Sequence, residues 1–199
     1  MTQMNGITAL AAIAALALVS AVRAADEHRE LGAHVHGHGT LNIAVEDKRV
    51  AMELEVPGMD LVGFEHEAET KEQKAAIERA KAKLAKPLAL FKLPASASCS
   101  ISEVKVALEG AAEHNDGDED HTEHADGDHD GDERGSHTEF HVAYALDCAK
   151  PANLTSIAFD FFTTFPRANG LTVNVITAKA QNTYEVSRDK PEFDLGGMM

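Results

Sequence analysis

The chain has 199 residues, of which 44% are hydrophobic, and a net charge of -15 at pH 7. This length suits one domain with a hydrophobic core of its own. The acidic balance argues against nucleic acid as a partner, because phosphate binding requires a basic surface.

An apolar run over residues 7–21 has the length of the hydrophobic part of a signal peptide and is shorter than a membrane span, which needs roughly 20 residues. Val22 and Ala24 occupy the positions where signal peptidase prefers small residues. We predict a signal peptide over residues 1–24, export to the periplasm, and one mature domain over residues 25–199 with no stable membrane span. Because the first six residues lack lysine and arginine, an uncleaved anchor is the alternative.

Residues 41–45 and 50–56 alternate between apolar and polar side chains, a pattern that predicts a β-hairpin with one buried face. Pro57 and Gly58 end the second strand, and a loop follows.

A helix is predicted over residues 70–85. Thr70 and Gln73 form a capping-box pattern at its start, and its apolar stripe consists of Ile77, Ala80 and Leu84. Pro87 is suited to begin a second, short helical turn.

Two β-prone runs, residues 101–108 and 140–146, flank an acidic stretch over residues 113–137. Cys99 lies two residues before the first run and Cys148 lies two residues after the second. Because an oxidising compartment favours disulfides, we predict that these cysteines form a bridge at the base of an antiparallel hairpin. The alternating valines of the first run are out of phase with Cys99, so either a bulge intervenes or the bridge joins the elements differently.

Residues 156–165 and 171–177 predict a further hairpin, with its turn at residues 166–170. The fold class expected from all these elements is α+β. It would be mostly antiparallel β-sheet, with one main helix packed on it and a disordered, acidic, histidine-rich insertion between two strands.

A first histidine cluster precedes the first strand. His34, His36 and His38 alternate with other residues, so in extended backbone they share one face, opposite to the buried face of that strand. Imidazole is the most common metal-ligand nitrogen and suits Zn²⁺. We interpret this cluster as a candidate metal site, and a flexible polar terminus is the alternative.

The second cluster is the acidic stretch over residues 113–137, which has eleven acidic residues against one arginine and a net charge of -10. Its five histidines are His114, His121, His124, His129 and His137. The stretch has too little apolar surface to fold by itself, so we predict disorder. Its carboxylates would concentrate cations, and acid pH would protonate its imidazoles and release metal. An acidic solubilising loop is the alternative.

The metal favoured for these histidines is Zn²⁺, with Ni²⁺ or Cu²⁺ as alternatives. Asp126, Asp128 and Asp130 with Gly131 match the opening of a calcium-binding EF-hand loop, but His137 stands where the bidentate glutamate belongs. Because Ca²⁺ prefers oxygen ligands, the five imidazole groups of this stretch argue against a calcium site.

His66 is a third candidate ligand, in the loop before the main helix. Residues 66–70 begin like the protease motif HExxH, but Thr70 replaces the second histidine, and neither a GxSxG motif nor a phosphate-binding loop is present. We therefore expect no enzymatic activity and no catalytic residues. His141 lies within a predicted strand, where a structural role is favoured.

Two motifs lie in the first third of the chain: HxHGxG over residues 34–39 and PGxDLxGFEH over residues 57–66. With the leader and the cysteine-bounded strands around a histidine-rich insertion, they resemble the ZrgA-like family of zinc-regulated periplasmic zinc-binding proteins. The resemblance implies a role in zinc acquisition, with metal delivered to an ABC-type importer or its solute-binding protein. The rival hypotheses are an envelope interaction module whose acidic loop is only a spacer and, less favoured, a zinc hydrolase.

Overall fold

A computed structural model describes residues 37–110 and 137–199 of the chain. The predicted signal peptide, His34, His36 and most of the acidic stretch lie outside the described residues. The described residues all belong to one compact unit. None of the helices among them is both long enough and apolar enough to cross a membrane.

Within the described residues, nine strands form two sheets. The strands are β1 (His38–Glu46), β2 (Arg49–Pro57), β3 (Phe91–Lys92), β4 (Cys99–Glu109), β5 (Glu139–Cys148), β6 (Ser156–Phe159), β7 (Gly170–Thr177), β8 (Gln181–Ser187) and β9 (Glu192–Asp194). Six of them form one sheet in the order β4-β5-β2-β1-β7-β8, and the others form a small sheet in the order β3-β6-β9. The helical segments are α1 (Gly58–Leu61), α2 (Lys71–Leu84), α3 (Pro87–Leu90) and α4 (Phe161–Thr164).

The hairpin of β1 and β2 confirms the first prediction, with Leu41 opposite Leu54 and Val45 opposite Val50. The apolar residues of both strands are buried, and the residues between them are mostly half-buried or exposed. The large sheet therefore has an inner face on the core and a polar outer face.

The main helix is confirmed, together with its capping box. The Thr70 side chain accepts a hydrogen bond from the backbone N–H of Gln73, and the Gln73 side chain accepts one from the Thr70 backbone N–H. The buried residues of α2 are Ile77, Ala80 and Leu84. The short turn at Pro87 is also present, as α3.

The hairpin predicted over residues 156–177 is wrong. Strand β6 pairs with β3 and β9, whereas β7 pairs in parallel with β1 and antiparallel with β8. The strand pattern ends at Phe159, and Phe161 and Phe165 follow at helical spacing, both fully buried around α4. This helical turn carries the chain from the small sheet to the large one.

Aromatic side chains join the small sheet to the inner face of the large one. Phe91 of β3 lies 6.0 Å from Tyr144 of β5, and Phe193 of β9 stacks on Tyr184 of β8 at 4.2 Å between ring centroids. The resulting architecture is α+β and mostly β-sheet, as predicted from the sequence.

The hairpin of β4 and β5 is closed at its base by the predicted disulfide, since Cys99 and Cys148 are bonded and lie opposite each other in the register. A bulge between Ile101 and Glu103 shifts the register. This bulge accounts for the phase difference between Cys99 and the valines of β4. The acidic insertion joins the other end of the hairpin, between β4 and β5.

Replacing both Cys99 and Cys148 by alanine should lower the free energy of unfolding by about 4 kcal/mol, because the bridge closes a long loop in the unfolded chain. Urea denaturation of the oxidised wild type and the double variant measures this loss. Reducing the wild type with dithiothreitol should produce the same loss, and equal stability of all three samples would contradict it.

Candidate functional site

Four strands bring polar residues to one end of the large sheet. Strand β1 begins at His38, β2 ends at Pro57, β4 ends at Glu109 and β5 begins at Glu139. The pairing sets Glu109 opposite Glu139 and Glu139 opposite Pro57, with β1 antiparallel to β2 on the far side. We call this end of the sheet, formed by His38, Pro57, Glu109 and Glu139, the histidine edge. Both histidine-rich stretches join the described residues here.

His141 lies beside the histidine edge, on the outer face of β5, and three carboxylates surround its ring. Its Nε2 is 2.9 Å from Glu139 Oε2 and 3.5 Å from Glu109 Oε2, and its Nδ1 is 3.8 Å from Glu55 Oε1. Strand alternation turns all four residues to one face, and the register places Glu55 directly opposite His141. We call these four residues the carboxylate–histidine cluster.

The carboxylates favour the protonated form of His141. The hydrogen bond with Glu139 raises the pKa of His141, burial opposes this increase, and the charges of Glu109, Glu139 and Glu55 raise the pKa further. The side chains of His141 and Glu139 are only 15% and 9% exposed, whereas Glu109 is 46% exposed. The cluster is therefore partly buried and open on the Glu109 side.

A second contact fixes the chain where the acidic stretch meets β5. His137 Nδ1 is 2.7 Å from Glu65 Oε2, and the Glu65 side chain is 8% exposed. The backbone N–H of Thr138 donates to the Glu65 carbonyl, and the Gly58 N–H donates to the Thr138 carbonyl. A Cβ atom at Gly58 would lie 2.5 Å from Thr138 Oγ1, so this close approach requires glycine.

The first histidine cluster reaches the described residues at His38. Its Nε2 is 2.8 Å from Thr172 Oγ1, which in turn donates to Glu185, and the ring is 38% exposed. The backbone N–H of Gly37 donates to the buried carboxylate of Asp60 at 2.8 Å. This bond ties the HxHGxG motif to the PGxDLxGFEH motif.

The remaining predicted ligands are divided between described and undescribed parts of the chain. His66 is exposed and contacts the backbone carbonyl of Glu67 at 2.7 Å. The predicted ligands that lie outside the described residues are His34, His36, His114, His121, His124 and His129. Among residues 37–110 and 137–199, no group of three or more histidine, cysteine, aspartate or glutamate side chains could hold a metal ion.

Sequence reasoning missed that three carboxylates surround His141. Glu139 and His141 alternate along one predicted strand, which would have placed them on the same face. Glu55 belongs to the predicted hairpin, but no local pattern indicates that its strand pairs with β5. Glu65 precedes the candidate ligand His66 in the chain, and its side chain is buried against His137.

The model of the ZrgA family of zinc uptake proteins matches residues 33–195, which is most of the chain. The chain belongs to this family. The match includes both motifs of the ZrgA resemblance and all four residues of the carboxylate–histidine cluster. Membership of the ZrgA family indicates a role in zinc uptake. The description of the family names zinc uptake and no enzymatic reaction. No curated protein matches the chain.

The raised pKa of His141 predicts how stability depends on pH in metal-free protein. Protonated His141 stabilises the fold fully below the ordinary histidine pKa of about 6.5, and this contribution is lost as the pH rises through the higher pKa of the folded state. Replacing Glu139 by glutamine should make the free energy of unfolding fall less as the pH rises through the pKa of His141. Urea midpoints between about pH 5 and pH 9, with a chelator present, measure it.

The matched control is Glu53→Gln, on the outer face of β2 and exposed. It should keep the pH dependence of the wild type. An unchanged pH dependence in Glu139→Gln would contradict the assignment.

Proposed function

We propose that this ZrgA-family chain binds Zn²⁺ in the periplasm and captures it for an ABC-type importer. The single observation that carries the proposal is that the two histidine-rich stretches join one end of the same sheet, the first at His38 in β1 and the second at His137, two residues before β5. Residues far apart in sequence thereby supply imidazole groups to one region. Mixed imidazole and carboxylate donors suit Zn²⁺, and Ni²⁺ or Cu²⁺ are the competitors to be tested.

The two stretches have different tasks in this proposal. Residues 113–137 act as a collector of low affinity and fast exchange, because their charge of -10 raises the local concentration of cations. His34, His36 and His38 contribute to a more ordered site, since the chain at Gly37 is tied to Asp60. Metal collected by the acidic stretch would then be held at the histidine edge.

Export to the periplasm, by a signal peptide over residues 1–24, is part of the proposal. It is supported by the apolar leader and by the disulfide, which suits an oxidising compartment. The expected partner is the importer or its solute-binding protein. Delivery to that partner requires that bound metal remain exchangeable, as expected of solvent-exposed ligands.

Replacing residues 113–136 by a short glycine-serine linker should lower the number of Zn²⁺ ions bound, because four of the five histidines of the stretch are removed and His137 is kept. Equilibrium dialysis at about pH 7 measures the stoichiometry, and binding by the wild type should weaken at about pH 5, where imidazoles become protonated. A linker containing the same acidic residues, with the histidines replaced by serine, separates imidazole binding from charge. Unchanged stoichiometry in the linker variant would contradict the collector role.

The zinc-loaded chain should transfer Zn²⁺ to a metal-free solute-binding protein of a zinc importer. This transfer should be faster than the dissociation of Zn²⁺ from the chain into solution, measured with a chelator in excess. Stopped-flow fluorescence with a zinc indicator, which captures Zn²⁺ released into solution, distinguishes direct transfer between the two proteins from release followed by rebinding. A transfer rate that does not depend on the concentration of the acceptor would contradict direct delivery. Strong binding of the chain to an envelope protein in the presence of chelator would favour an interaction module instead.

A further inference from the structure

We propose that Arg79, Lys83 and Arg167 form a docking surface for an acidic segment of a partner protein, with the Arg167 guanidinium as the group that binds a carboxylate. We call these three residues the basic patch. The inference rests on the proposed function where it takes the partner to be the protein that accepts zinc. The recognition of carboxylates by the patch does not depend on zinc.

Helix α2 is basic in a chain that is acidic as a whole. It carries five lysines and arginines against two glutamates, a net charge of +3, whereas the whole chain has a net charge of -15. Arg79 and Lys83 are exposed and lie one turn apart on the same flank of the helix. Glu72, at the start of the helix, is the acidic residue on this flank. The flank therefore presents a positive surface.

Lys83 connects this flank of α2 to the loop between α4 and β7. Its Nζ donates to the carbonyl of Thr164 at 3.4 Å and lies 5.5 Å from the centroid of the Phe165 ring. Phe165 and Ala168 are buried, so they anchor the loop in the core, and Arg167 between them is exposed. Arg167 and Lys83 thus belong to one surface.

Arg188 fixes the backbone on both sides of Arg167. Its guanidinium donates to the carbonyls of Phe162 at 2.8 Å, Pro166 at 2.6 Å and Ala168 at 2.5 Å. Hydrogen bonds from a charged donor are stronger than those between neutral groups. The loop therefore holds Arg167 on a rigid backbone.

Gly63 makes room for the Arg167 side chain. A Cβ atom at Gly63 would lie 3.0 Å from Arg167 Cζ, 3.1 Å from Nη2 and 3.2 Å from Nε. Because these three atoms are almost equally distant from that position, the guanidinium lies face-on to the Gly63 backbone. Its N–H donors are at the edge of the plane, where a partner can reach them.

This geometry suits a carboxylate. A guanidinium binds a carboxylate through two parallel hydrogen bonds, and an orientation that is already fixed lowers the entropy lost on binding. Among the described residues, no carboxylate pairs with Arg167, although the chain has 33 acidic residues against 18 lysines and arginines. A glutamate or aspartate of another protein is the ligand that the fixed guanidinium fits.

An acidic protein fits the patch better than an anionic membrane. Helices that lie on membranes insert large apolar side chains into the bilayer. The large apolar residues of α2, Ile77 and Leu84, are buried. The exposed ones among the described residues, Ile101 and Ile176, belong to the large sheet. The patch thus offers charge and hydrogen-bond donors without an apolar anchor.

The loop that carries Arg167 also contacts the start of β1. The backbone N–H groups of Asn169 and Gly170 donate to the Gly37 carbonyl at 2.8 and 2.9 Å. His38 of the histidine edge follows Gly37 directly. A partner that docks on Arg167 is therefore close to the region where the proposed function places zinc.

Fluorescence anisotropy of a labelled polyglutamate peptide tests the patch in the intact chain, at low ionic strength with a chelator present. Arg167→Glu should weaken binding by about tenfold or more, because it replaces the fixed guanidinium by a like charge. Arg167→Lys should weaken it less, since the charge remains and only the paired donors are lost. The matched control is Lys74→Glu, an equal change of charge at an exposed position on the other flank of α2, which should bind like the wild type.

Equal weakening by Arg167→Glu and Lys74→Glu would overturn the inference, because it would show attraction by overall charge alone. Failure of the wild type to bind the peptide would also overturn it. If the variant with a glycine-serine linker for residues 113–136 then binds, the occupant of the patch is the acidic stretch of this chain. Arg167-dependent binding to phosphatidylglycerol vesicles, with none to the peptide, would identify a membrane instead.

The zinc-transfer experiment separates this inference from the proposed function. Arg167→Glu should lower the rate constant of direct transfer by about tenfold, with the number of bound Zn²⁺ ions unchanged. Direct transfer at the wild-type rate in Arg167→Glu would contradict the docking role and leave the proposed function standing. If the wild type transfers no Zn²⁺ directly, delivery fails, and the peptide titration still decides whether the patch binds carboxylates. Circular dichroism verifies that each variant is folded.

Discussion

The pairing of β2 with β5 is the constraint on which the rest of the molecule depends. It joins the N-terminal hairpin to the disulfide-closed hairpin, and its register sets Glu55 opposite His141. Since side chains alternate along every strand, the same register sends Leu54 and Val142 into the core. A shift of one residue would bury the carboxylates and expose the apolar side chains, so core packing and the polar cluster are fixed together.

The large sheet separates two kinds of chemistry on its two faces. The inner face packs against the small sheet through aromatic pairs, and this packing provides the apolar burial that stabilises the fold. The outer face holds His38, Thr172 and Glu185 on one side and the carboxylate–histidine cluster on the other.

The disulfide and the acidic insertion occupy opposite ends of the β4–β5 hairpin. The bridge holds the register at Cys99 and Cys148, and the insertion begins after the strands reach Glu109 and Glu139. A segment with a charge of -10 is tolerated there because the pairing that defines the hairpin is already secured at its base. Loop closure costs little more free energy as a loop lengthens, so a long insertion can be added without disrupting the sheet.

Local patterns were enough to predict the first hairpin from its alternation, α2 from its capping box and the two histidine-rich stretches from composition. The disulfide was predicted from two cysteines that follow an apolar leader. These features depend on neighbours in the chain or on residue type. The parallel pairing of β7 with β1, and the contacts of His141 with Glu55, Glu109 and Glu139, are seen only in the folded chain. Those arrangements depend on pairing between distant strands, which is selected by burial of the whole core, and no local pattern encodes it.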